Sequence, residues 1–322
     1  MSSTSEIGHP VSLGKAPARN RRAPAGKRPR PPLKLGRVRI GFWMVVPGLA
    51  VYSLIVAYPT IMSVYYSFTN WDGLGTGSRF VGLSNYITAI ADDPEVQQAF
   101  AHTLLAALCI TVGGNLVGLV VALVLQRRNR LNYVLRLLWF LPAALPTIIA
   151  GYIWLFLYSP QGPLTEIWGK LFPHTPPPGF LGDPNEALWC IIAIAIWQST
   201  GFAMIIFLAG LEGIDREVLE AAQVDGANYF GRLRHIVLPL LRQAMGVSGV
   251  ITVMNGMFLF GEVIATTDGG PGYSTQTLAT ELFRQAFEFE KFGYGMAVGN
   301  LLAIISVAAA GIVLWVVSGR ER

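Results

Sequence analysis

Catalytic apparatus is what this sequence of 322 residues lacks. Its four histidines, His9, His102, His174 and His235, are scattered, and no H-E-x-x-H run or Cys/His cluster is present. That excludes a zinc enzyme of the kinds recognised by those spacings. No G-x-x-x-x-G-K-[ST] run occurs either, so the chain does not bind ATP through a phosphate loop. No Ser/His/Asp set can be selected by spacing. The two cysteines, Cys109 and Cys190, each fall inside an apolar run and read as small buried hydrophobes, not as a disulfide or metal pair. Charge is scarce as well. Only 13% of residues are charged against 52% hydrophobic, and the charges cluster between long uncharged stretches, which excludes a soluble globular domain.

The exception to this scarcity is residues 1–39, with ten Lys/Arg against the single acid Glu6, repeated prolines and no apolar periodicity. Such a segment cannot bury enough surface to fold and is expected to be a disordered cytoplasmic arm drawn to anionic lipid headgroups, not to nucleic acid. Arg21-Arg22 is followed by APAGKRPRPP and not by a hydrophobic region, so no cleaved export signal is expected.

From Ile40 onward six apolar segments, about 40–66, 101–125, 134–158, 187–210, 243–265 and 296–317, are each long enough to cross a hydrocarbon core. The expected fold is therefore an all-α integral membrane protein with six transmembrane helices. Twenty Lys/Arg fall in the N-terminal arm, the loops following the second and fourth spans, and the C-terminal 319–322; only Arg79, Lys170, Arg284 and Lys291 fall in the other loops. The positive-inside tendency then places both termini in the cytoplasm of a multi-pass protein of the bacterial cytoplasmic membrane. Trp43, Trp139 and Trp315 near inner span ends, and Trp71 and Trp189 near outer ends, fit that orientation. The loops 67–100, 159–186 and 266–295 would lie outside, as turns and short surface helices large enough to meet a partner.

Within the spans, Pro47, Pro59, Pro142 and Pro146 mark kinks, and Asn115, Gln198, Thr200, Asn255, Glu262 and Asn300 are polar groups that lipid would not tolerate unpaired. Hydrogen bonding between helices accounts for some of them. Gln198 and Asn255 stand near the middle of their spans and, with Glu262, Trp197 and Phe258, offer amide, carboxylate and aromatic groups suited to a polyhydroxylated substrate. Glu262 is expected near the outer end, in reach of water.

The loop 211–242 is polar and helix-patterned between two such spans. Asp215 is placed to cap one short helix and Gly226 to end it in the left-handed region. Asn228 is placed to cap a second that runs to Leu238, where Pro239 turns the chain back toward the fifth span. Ala221 and Ala222 give the first helix a slim face, and Tyr229, Phe230, Leu233 and Ile236 give the second an apolar stripe that needs a cover.

The run EAA-x-x-DGA at Glu220 to Ala227, with nine residues between Gly226 and Ile236 and then Leu238-Pro239, resembles the EAA signature of permease subunits of binding-protein-dependent ABC importers of type I. A proline often found four residues after the Leu-Pro pair is replaced by Gln243. WQSTGFAMIIFLAGLEGID before the run and TTDGGPGYSTQTLATELFRQAFEFEKFGYGMAVGNLL after it are similar to MalF-like permeases of carbohydrate uptake, and the resemblance covers about 40–318. It implies that Glu220, Ala221, Ala222, Asp225, Gly226, Ala227, Tyr229, Phe230, Ile236, Leu238 and Pro239 form coupling helices that dock on a separate ATPase. That partner would bind ATP and Mg, and this chain would hold no cofactor or metal. It further implies a second homologous permease subunit, two ATPase subunits, an extracytoplasmic solute-binding protein and an oligosaccharide or disaccharide as cargo. The GGPG loop, Gly269 to Gly272, would lie near the outer face. The competing reading is an ion-coupled secondary transporter, for which Glu262 is the one good carboxylate candidate.

Overall fold

A run of uncharged residues in lipid satisfies its backbone by closing on itself, and helices follow. The structure, a computed structural model, describes residues 35–75 and 77–319. The expected basic arm and the C-terminus past Gly319 fall outside these, except that residues 35–39 already belong to the first helix. The chain divides into two units, Met1–Leu54 and Ile55–Arg322, and the bundle packing belongs to the second. Apart from one isolated bridge between Thr69 and Phe80, the regular elements among the described residues are helical.

Helix α1, Leu35–Tyr52, passes through a π-helical turn, Ser53–Ala57, into α2, Tyr58–Tyr66. The wider turn accommodates Pro59, which has no N–H to give the preceding turn. A short α3, Ser84–Ile87, precedes α4, Pro94–Leu125. Asp93 starts α4 by accepting from the backbone N–H groups of Glu95 (3.0 Å) and Val96 (3.2 Å), with Pro94 in the first turn. Then come α5, Arg130–Ala144, α6, Thr147–Leu157, α7, Pro163–Leu171, and α8, Ala187–Glu212. The polar loop holds α9, Arg216–Val224, α10, Tyr229–Arg232, and α11, Leu238–Leu240. Last come α12, Arg242–Met257, α13, Gly261–Thr266, α14, Leu278–Phe283, and α15, Phe292–Ser318.

Four helical stretches are long and apolar enough to span a membrane, and six are reached if each of two bent pairs counts as one span. The expected third span is one of these: α5 and α6 meet at 101°. The expected fifth span, 243–265, is also interrupted, because α12 stops at Met257 and helix resumes only at Gly261.

α4 is the centre, packed against both α8 and α12, while α15 lies on the far side of α12. Small residues permit this. Gly114 and Gly118, four apart on α4, face Ser199 and Ala203, four apart on α8; a Cβ on Gly118 would stand 2.6 Å from that of Ala203. Polar ties reinforce the contacts. Asn115 Nδ2 donates to Thr252 Oγ1 on α12 (2.8 Å), and Asn300 on α15 reaches the Ser63 carbonyl (3.4 Å) and the Tyr86 hydroxyl (3.3 Å). Thr200 instead returns its hydroxyl to Ile196 O in its own helix (2.8 Å).

At the α4 N-terminal end, Glu281 on α14 is fully buried and accepts from Gln276 Nε2 (3.0 Å) and Gln285 Nε2 (2.7 Å). Arg284 bridges it at 3.5 Å and also pairs with Glu95 on α4. Burial works against the Arg284 charge, but Glu281 and Glu95 outweigh it and raise its pKa.

Candidate functional site

Leu145 lies between Pro142, inside α5, and Pro146. A residue before proline is pushed to extended backbone, and Leu145 takes ψ 136°. The helix breaks there, and backbone carbonyls are left without helical partners. Gln198, from the middle of α8, supplies the missing donor: its Nε2 lies 3.1 Å from Leu145 O and 3.3 Å from Pro142 O. The second break, Phe258 to Phe260, is set against the first, because α13 packs on α6. Gly261 admits Thr147 and Gly151 admits Ala265, so these two short helices approach almost backbone to backbone.

Between the breaks lies a cavity of about 420 Å³. Gln198, Asn255, Phe258 and Glu262 all line it, together with Thr147 and Phe202. Four of the five residues expected for a substrate site thus come from α8, the end of α12, the second break and the start of α13 to one place. The fifth, Trp197, does not line it; its ring packs edge-on against Trp154 of α6 at 5.5 Å. Ala195, Gln198, Ser199 and Phe202 form the face of α8 toward the cavity, and Trp197 lies off that face. Glu262 is buried instead of reaching water, and it forms no ion pair among the described residues.

The lining is rich in acceptors. Gln198 is 8% exposed and its Oε1 has no donor among the described residues, while Asn255 remains exposed and Phe258 is about half-exposed at the rim. An unpaired buried acceptor favours a guest that donates hydrogen bonds. Thr147, Phe202 and Phe260 escaped the sequence reading; Pro146 could have pointed to Thr147.

At the other end of α8, the polar loop forms the expected pair of short helices, with differences of detail. Asp215 takes the N-cap position of α9 with no side-chain cap bond. Gly226 adopts φ +82°, and Ala227 N bonds back to Ala222 O (3.0 Å), as in a left-handed helix stop. Asn228 caps α10 by accepting from Gly231 N (2.7 Å). Pro239 does not turn the chain: it sits in the first turn of α11 after a π-helical turn, Leu233–Val237, and the 68° bend comes after Leu240. A proline early in a helix has no lost bond to answer for, so it is absorbed.

The apolar stripe is divided. Tyr229 and Phe230 are exposed, whereas Leu233, Ile236 and Leu238 are partly covered and Ala222 is buried. Glu220, Ala221, Asp225 and Gly226 are exposed, and Ala227 and Pro239 partly covered. The most exposed large hydrophobe of the loop is Val224, at 87%. Leu219, Leu233 and Val237 line a small cavity under the ends of α4 and α8, with the exposed Tyr229 at its edge. Nearby, Arg136 donates to Leu125 O at the C-terminus of α4 (2.8 Å) and, with Arg128, pairs with Glu212 at the end of α8.

Residues 114–320 match the family described as "Binding-protein-dependent transport system inner membrane component". A probable ABC transporter permease protein of Pyrococcus horikoshii is 33% identical over 86% of this chain and 96% of its own length. The sulfoquinovosyl glycerol transport system permease protein of Agrobacterium fabrum is 31% identical over 90% and 94%. The trehalose/maltose transport system permease protein of Thermococcus litoralis is 28% identical over 90% and 97%. Among solved structures, a chain of a bacterial ABC transporter involved in the import of alginate superposes with TM-score 0.77 at 19% identity, covering 89% of this chain and 98% of that one. The chain belongs to the family of inner membrane components of binding-protein-dependent transport systems, as a multi-pass permease subunit.

Proposed function

We propose that this permease carries sugars, of the oligosaccharide or disaccharide class, and forms half of the pathway of an ATP-driven importer. The observation that carries the reading is the cavity between the two helix breaks, where the unpartnered Gln198 oxygen lies with Asn255 and Glu262 beside Phe202 and Phe258. Sugar hydroxyls donate to such groups, and their C–H faces pack on aromatic rings. The sugars named for relatives, trehalose/maltose and sulfoquinovosyl glycerol, agree in class. Discontinuous helices are a common way to place a binding site inside a membrane. Because Asn255 and Phe258 remain exposed, a second homologous permease is expected to complete the wall.

The energy enters through α9 and α10. One of the two ATPase subunits, holding ATP and Mg, docks on Glu220–Gly226 and on the exposed Val224, Tyr229 and Phe230 of this chain. Their closure then shifts α8 and α12, between which the loop is strung. Both termini and this loop face the cytoplasm of a bacterial membrane, and the GGPG loop faces outward. A loaded binding protein outside and ATP inside bias one two-state element.

The experiment is uptake of a panel of labelled sugars by proteoliposomes holding the two permeases and the ATPase, with binding protein added outside. Saturable, ATP-dependent uptake of one sugar class is expected. Receptor-loaded vesicles that hydrolyse ATP and move no sugar would refute the cargo.

A further inference from the structure

A second cavity, of about 450 Å³, lies at the end of the bundle away from α9, where the chain after α2 meets the starts of α4 and α15. Asp72, Asp93 and Glu290 line it against one cation, Lys291. Two of its donors, Asn85 and Tyr294, are committed within the chain, and its cation lies beside an aromatic ring. Asn85 Nδ2 serves the carbonyls of Ser67 (2.8 Å) and Thr69 (2.9 Å), the Tyr294 hydroxyl serves Asp93 (2.7 Å), and the Lys291 ammonium lies over Phe289 at 5.7 Å.

Acceptors are left over. Gln285 is 4% exposed; its Nε2 is committed to Glu281, and its Oε1 has no partner among the described residues. Asp72 gives Oδ1 to Leu74 N (3.1 Å), and neither Asp72 nor Glu290 forms an ion pair among the described residues. Asp72 and Glu290 are exposed, so a guest that is cationic and rich in N–H groups can reach both carboxylates beside the unpaired Gln285 carbonyl.

Two other guests fit worse. A sugar would need an open aromatic face, but Trp71 is stacked on Tyr66 at 4.2 Å, is flanked by Phe292 at 5.7 Å, and commits its Nε1 to Gly75 O. A metal ion would need a tighter cluster, and no group of three or more His, Cys, Asp or Glu is placed to hold one among the described residues.

We propose that this cavity receives a lysine or arginine side chain presented by the extracytoplasmic binding protein, so that docking of the receptor is read by charge at this point. The inference rests on the outward orientation of this end in the importer reading.

The test uses the whole complex in nanodiscs and measures the affinity of its loaded binding protein at low and high salt. The double variant Asp72→Asn/Glu290→Gln is expected to weaken docking about tenfold at low salt and to flatten the salt dependence. Glu166→Gln, which removes an exposed carboxylate on α7 outside the cavity, should leave docking unchanged. Tight docking by wild type and double variant alike would overturn the assignment while leaving the importer reading intact. Unchanged docking with an altered KM for sugar would make the cavity a sugar subsite instead. Wild-type complex that neither binds receptor nor takes up sugar would overturn the importer reading and this inference together. Matched thermal melts of the two variants guard against misfolding.

Discussion

Gln198 donates its amide to the carbonyl of Leu145 across 3.1 Å, and the same side chain keeps an unpartnered oxygen at the cavity between two broken helices. One residue thus closes a backbone break and offers a bond to a guest. Replacing Gln198 by Leu removes both functions. Sugar KM is expected to rise about tenfold, with about 1–3 kcal/mol lost from folding stability because the Leu145 and Pro142 carbonyls are orphaned. Uptake kinetics and a thermal melt of the same preparation check the two effects separately.

Asn255 lines the same cavity but is exposed. Asn255→Ala should therefore change sugar KM or selectivity with a stability change within about 0.5 kcal/mol. Unchanged kinetics across a sugar panel would remove Asn255 from the site.

At Gly226 the constraint is backbone conformation, not space. Its φ is +82°, yet a Cβ there would meet nothing within 4 Å. Coupling should fall in the order Gly, Asn, Ala, Val, following the cost of the left-handed region, about 1–2 kcal/mol for a residue with an ordinary Cβ. Sugar-stimulated ATP hydrolysis, with membrane insertion monitored in parallel, reads this order; a dependence on side-chain size alone would contradict it.

Val224→Asp removes exposed apolar surface while taking little from the chain's own packing. Stability should stay within about 0.5 kcal/mol, while ATPase association weakens about tenfold or more if Val224 is an anchor. Pull-down of the ATPase at graded concentrations measures this.

Glu281→Gln breaks a fully buried ionic group that Arg284, Gln276 and Gln285 share. Arg284 keeps Glu95 as its partner, so the cost is that of leaving a buried amide of Gln276 or Gln285 without its acceptor, about 1–3 kcal/mol, seen as a lower thermal stability in detergent.

The sequence made some parts of this account easy to read and concealed others. The spans α4, α8 and α15 are long uncharged runs, and lipid leaves such runs no alternative to helix. Gly226 and Asn228 were legible because left-handed stops and N-caps are local devices. Gln198, Asn255 and Glu262 were legible as polar groups where lipid penalises them. The 101° turn at Leu145 was not: Pro146 signals a break, but the orientation of α6 depends on Gly151 meeting Ala265 more than a hundred positions away. Nothing in Phe258-Leu259-Phe260 announces the second break, which follows from α13 packing on α6. That Trp197 turns toward Trp154 and not into the cavity depends on helix phase, which residue type does not reveal. Val224 was overlooked because its exposure depends on which side of α9 Leu219 and Ala222 bury.

The central claim is that a sugar in the cavity and ATP at the polar loop are coupled through this chain. Its most direct test is ATP hydrolysis by the reconstituted complex with loaded receptor, comparing wild type with Gln198→Leu and Gly226→Val. The account predicts sugar-stimulated hydrolysis that needs more sugar in the first variant and is lost in the second. Hydrolysis indifferent to sugar in the wild type, or equal in all three proteins, would contradict it.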